Sequence, residues 1–138
     1  MTAIAAPAPN RVTHTTSTMA RTGAVVSLLA GAFLLFDAVI HILAIDPVVE
    51  SFRSLGFAES VALPIGLLEL ALVALYAVPR TSVLGAVLLT GYLGGAVCAH
   101  VRVDAPLLST TLFPVYLGVA VWVGLYLRNA RLRALLAA

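Results

Sequence analysis

The chain has 138 residues, 62% of them apolar and only 10% charged, and its mean hydropathy is +1.08. Soluble domains run at about 45–50% apolar and about 25% charged, so the polar side chains here are too few to cover a water-facing surface and lipid must be the solvent for most of the chain. Eight Arg and no Lys stand against six acids for a formal charge of +2; spread singly along the chain they form no basic stripe, which excludes nucleic acid as a partner. The lone Cys98 excludes an internal disulfide or a multi-cysteine metal site, and its surroundings in the sequence read as those of a small packing residue.

Residues 1–21 are rich in Ala, Pro, Ser and Thr without apolar periodicity and read as a disordered tail. Thr22 to Ile45 is a nearly unbroken apolar run. At 1.5 Å per residue its roughly 24 residues exceed the ~30 Å of a hydrocarbon core. Asp46-Pro47 then reads as an N-cap followed by proline at the first helical position, and Val48, Val49, Phe52 and Leu55 recur on one face until Gly56 stops the turn. This predicts a short interfacial helix lying on the membrane surface. Val61 to Val78 forms a second span, Pro79-Arg80 breaks it, and Thr81 to Ala99 and Leu108 to Leu127 supply two more. The expectation is an all-α polytopic membrane protein: a four-transmembrane-helix bundle over residues 22–133, with a short tail at 134–138.

An even number of spans puts both termini on one side. That side collects Arg11, Arg21, Arg80, Arg128, Arg131 and Arg133 without an acid, whereas the other has Arg53 and Arg102 among Asp46, Glu50, Glu59 and Asp104. Arginine in short loops sets topology, so both termini are expected in the cytoplasm of a cell-membrane protein. Small residues at four-residue spacing (Gly23, Ser27 and Gly31; Gly91 and Gly95; Ala120 and Gly124) mark faces where helices can approach closely, inside one chain or across a homo-oligomer seam.

Asp37, His41 and Glu69 lie inside spans, and His100 and Arg102 end the third. An ionisable group at bilayer depth costs at least ~2.5–3.5 kcal/mol, so each needs a partner or a role. Asp37 and Glu69 both fall about eight residues, or ~12 Å, below the outer surface. His41 sits one turn above Asp37, and His100 and Arg102 cap the acids from outside, so three helices are expected to build one polar pocket. A carboxylate one turn from an imidazole, level with a second carboxyl, suits proton-coupled chemistry on a quinone or a solute. The same residues also suit a buried ion pair, with Arg102 on Asp37 or Glu69 fixing helix register and no chemistry. No metal is expected, because the Glu-x-x-His repeats of di-iron bundles are absent and the ligands fall in two layers. Tyr76, Tyr92, Tyr116, Tyr126 and Trp122 read as belt or packing aromatics.

Several stretches resemble one family: Pro47-Val48-Val49-Glu50, Leu55-Gly56-Phe57, Gly66-Leu67-Leu68-Glu69-Leu70, Pro79 through Ala86, Leu89 through Ala96, His100-Val101-Arg102, and Leu112 through Gly118. They are similar to the DoxX-like family of small bacterial four-helix membrane proteins, over about residues 23–133, with Glu69, His100 and Arg102 at the positions of the family pattern. The resemblance implies an accessory subunit in quinone-linked or other membrane redox chemistry with a partner protein, since DoxX and DoxD relatives include subunits of a thiosulfate:quinone oxidoreductase. The lone cysteine departs from any dithiol chemistry. A proton-linked permease for a small solute and a scaffold protein without chemistry are the rival readings.

Overall fold

The computed structural model describes residues 11–137, with side chains from residue 18 onward. Six helices make up the described chain, and no strand occurs among the described residues. They are α1 (Arg11–Ile42), α2 (Asp46–Ser54), α3 (Ala62–Ala77), α4 (Ser82–Arg102), α5 (Phe113–Arg128) and α6 (Ala130–Leu136). Four stretches are long and apolar enough to cross a membrane: Thr18–Ile42, Glu59–Ala77, Ser82–Arg102 and Leu107–Arg128.

α1 starts at Arg11, ten residues before the expected end of the tail, because no proline follows Pro9 until Pro47 and extending a formed helix fixes one residue per hydrogen bond gained. Residues 1–10 of that expected tail lie outside the described residues. α2 starts one residue earlier than its sequence signal: Ile45 is the N-cap, and Asp46, already helical, makes no capping bond. Its end follows the sequence. Gly56 takes φ +72°, its N–H and that of Phe57 reach back to the carbonyls of Arg53 and Phe52 at 2.9 and 2.8 Å, and the helix stops in a Schellman turn. Val48 and Phe52 bury against Ala62, so α2 is folded onto the start of α3.

A 3₁₀ turn (Glu59–Val61) leads into α3, which ends at Ala77 before an extended Val78, since the residue preceding Pro79 avoids helical ψ. The fourth span opens with a π turn (Leu107–Thr111), its Thr111 hydroxyl donating to Ala105 O at 3.1 Å, before Pro114 sits in the first turn of α5. The end of the chain, expected as a plain tail, is mostly helical because Asn129 caps α6 by accepting from the N–H groups of Arg131 and Leu132.

The spans form a closed ring in which α1 packs on α3 and α5 while α4 packs on the same two from the opposite corner. Leu34, Leu89, Val121 and Leu125 fill its middle. Outward residues such as Leu28 and Leu29 are about two-thirds exposed, at 70% and 67%, as a lipid-facing surface requires. The two ends of the bundle are built differently. At the end carrying the termini, a Cβ on Gly124 would come within 2.8 Å of Ser27 N, and one on Gly23 within 2.5 Å of Arg128 N, so these small residues set the α1–α5 approach inside one chain. Gly31, Gly91 and Gly95 face open space.

Candidate functional site

Asp37 and His41 share a face of α1 because four residues make about one turn. Gly66, one turn before Glu69 on α3, is where α1 crosses: a Cβ there would meet Ala38 O and Ile42 N at 2.8 Å. With no side chain in the way, the helices approach until the Asp37 and Glu69 carboxylates and a His41 ring nitrogen lie within 4.8 Å of one another. The level reading of the two acids therefore becomes direct proximity. His41 does not form a separate upper layer. Its Nδ1 donates to Asp37 O at 2.7 Å and lies 3.5 Å from Asp37 Oδ2, which brings the ring down beside the carboxylate, with Phe52 edge-on at 5.5 Å between centroids.

Glu69 is fully buried, at 0% exposure. Tyr92 of α4 donates to its Oε2 at 3.0 Å, while Oε1 is buried without a hydrogen-bond partner. The sequence reads Tyr92 as a belt or packing aromatic, and neither gives it a polar partner. The contrary signal was its position: it is the eleventh of the 21 residues of α4, at mid-span and far from either interface.

His100 lines the same cavity as the cluster, but Arg102 does not join it. The Arg102 guanidinium instead donates to Leu55 O and stacks on Phe57 at 5.4 Å, tying α4 to the turn after α2. A flexible arginine beside an unpaired loop carbonyl and an aromatic face satisfies itself locally, and no acid lies within 4 Å of it among the described residues. Arg53 is likewise spent on the surface, pairing with Glu59 and with Glu50, and the Glu59 carboxylate holds its pKa above the ordinary value. Cys98 is exposed on the outside of α4 rather than packed within the chain.

Beside the acids the helices line a partly open cavity of about 520 Å³. Its walls are mainly apolar and aromatic, with Phe33 and Leu34 from α1, Ile65 from α3 and Phe113 and Leu117 from α5, while Phe52 and Phe57 close it at the loop end. Its polar lining includes Asp37, His41, Glu69, Tyr92 and His100. The His100 ring spends no hydrogen bond within the described chain, so both nitrogens remain for a ligand. Such an arrangement holds an apolar body and offers its polar atoms donors and acceptors.

Comparison with curated proteins and with solved structures gave no match. A family model does match: that of the DoxX-like family aligns with residues 25–124, from the first span to the α1–α5 contact at Gly124. That stretch holds the second and third spans whole, most of the first and fourth, and every residue lining the cavity, and this four-helix membrane protein therefore belongs to the DoxX-like family.

Proposed function

We propose that the chain acts as an accessory subunit in quinone-linked membrane redox chemistry, with the cavity as its ligand pocket and a partner protein carrying the electrons onward. The observation that carries this reading is the cavity itself. Its roughly 520 Å³ falls within the about 300–1,000 Å³ common for small-molecule sites, and it pairs an apolar, aromatic body with a few convergent polar side chains.

A quinone fits those residues. Phe33 and Phe113, in edge contact with each other at 5.4 Å, would offer an aromatic wall to a flat ring, and the free His100 imidazole would donate to a ring oxygen. A bound quinone supplies exchange of two electrons and two protons. His100, half-buried at the last turn of α4, is placed to pass a proton between cavity and water.

The charge pattern supports the orientation that sets this geometry toward the extracytoplasmic side. Arg21, Arg80, Arg128, Arg131 and Arg133 gather at the terminus end, so both termini lie in the cytoplasm of a cell membrane; a reporter active only there should work when fused to either one.

The function is tested by titrating a short-tailed quinone into the protein in nanodiscs. Saturable binding by the wild type, weakened about tenfold in His100→Ala, is expected for one lost hydrogen bond. Absence of saturable binding, or equal affinity in both proteins, would overturn the redox reading.

A further inference from the structure

We propose that Asp37, His41 and Glu69 form a binding site for a divalent transition-metal ion of the zinc or iron(II) class. The ion's binding stands on this cluster alone; only a role for it toward a ligand oxygen rests on the quinone reading above.

Charge comes first. Two carboxylates sit at bilayer depth, one of them completely buried, and the cationic residues that might neutralise them are engaged elsewhere: Arg102 with Leu55 O and Phe57, Arg53 with Glu50 and Glu59. Among the described residues, His41 is the basic group in contact with them. A buried carboxylate oxygen without a donor is costly in any low-dielectric setting, and Glu69 Oε1 is such an atom. A cation removes the deficit at both acids together.

The donor atoms suit that cation. One oxygen from each acid and one imidazole nitrogen form a mixed set that favours zinc, iron(II) or manganese, whereas calcium takes six to eight oxygens. Ligands about 2.1 Å from a tetrahedral ion lie about 3.4 Å from one another. One candidate ligand atom from each of the three residues lies within 4.8 Å of the others, so side-chain rotations bring the set into coordination.

The surrounding bonds leave the right atoms open. Tyr92 occupies Oε2 of Glu69 and leaves Oε1 without a partner, while the Nδ1–H bond to Asp37 O orients the His41 ring in the way that ligating histidines are commonly held. Three protein ligands leave at least one coordination position free. The same three residues line the cavity, so an oxygen of a bound molecule there could take that position.

Spectroscopic titration with Co²⁺, which has visible d–d absorption where zinc has none, tests the site in the detergent-purified, chelator-stripped full chain. One Co²⁺ per chain is expected, displaced by Zn²⁺, with affinity at least tenfold lower in the near-isosteric variants Glu69→Gln and Asp37→Asn and unchanged in the surface variant Glu59→Gln. Absence of a d–d band, or equal affinity in all four proteins, would overturn the proposal; it is the outcome expected if a proton shared between the acids neutralises them instead. Quinone binding without Co²⁺ binding would sink the metal site and leave the cavity's function standing, and Co²⁺ binding without quinone binding would do the reverse.

Discussion

At the terminus end of the bundle the helices touch and their polar groups find partners; at the loop end they part around acids that do not. Tyr76 shows the first condition. Its hydroxyl lies 2.9 Å from both Ser27 Oγ and Val121 O, linking α3 to α1 and α5, and its carbonyl accepts from Arg128, whose guanidinium also lies 4.9 Å from the Tyr76 ring centre. The Nε of that arginine is buried without a partner. Glu69 shows the second, with one oxygen held by Tyr92 and the other by nothing. Lipid gives helices no hydrophobic reason to associate, so the tight end supplies the van der Waals contact and hydrogen bonding that hold the ring. The polar end keeps an unpaired buried oxygen at Glu69, a cost that fits the ligand site proposed above.

Glycine substitutions give the largest expected contrast between the two ends. Gly124→Ala puts a Cβ within 2.8 Å of Ser27 backbone N, which cannot move without the whole helix, whereas Gly91→Ala adds one where nothing lies within 4 Å. Gly124→Ala should cost about 1–3 kcal/mol. Gly91→Ala should stay within about 0.5 kcal/mol of wild type, since it also removes the entropic penalty of glycine in a helix. Reversible denaturation in detergent micelles measures both. Equal losses would mean that the α1–α5 approach does not hold the bundle.

Much of this architecture was legible in the sequence because its signals are local. Proline removes an N–H and restricts the residue before it, so Pro79 marked the α3–α4 break, and Gly56 marked the end of α2 because the turn there needs a positive φ. Counting residues at fixed rise put Asp37 and Glu69 at one depth, and the helix crossing at Gly66 turned that depth into proximity. Side-chain direction was not legible. The Arg102 side chain can reach several partners, and the one it takes, Leu55 O, exists only once α2 has folded onto α3. His41 bends toward Asp37 for a similar reason: a backbone carbonyl one turn back was available to its Nδ1.

A second contrast concerns sign. Tyr76→Phe removes a hydroxyl from a satisfied network and should lower stability by about 1 kcal/mol. Glu69→Gln removes a buried charge but keeps the shape, and its carboxamide can still accept from Tyr92 while donating to Asp37. In chelator-treated protein it should raise stability by about 1 kcal/mol. Thermal unfolding of the two variants under the same conditions reads the signs directly. A fall in both would mean that Glu69 serves packing, as Tyr76 does.

The smallest expected effect is a coupling of zero. If Arg102 compensated the buried acid, Glu69→Gln and Arg102→Gln would each strand a partner, and the double variant would cost less than the sum. The guanidinium instead holds the turn after α2 through Leu55 O and the Phe57 ring, and among the described residues it makes no ion pair with Glu69 or Asp37. Arg102→Gln should therefore loosen the loop end by its own modest amount. The double-mutant cycle should close to within about 0.3–0.5 kcal/mol, the scatter usual for sites that share no partner. A coupling well above that would place Arg102 with the acids after all and supply the positive charge that the metal proposal says is missing, so this null result carries weight for the site as well as for the fold.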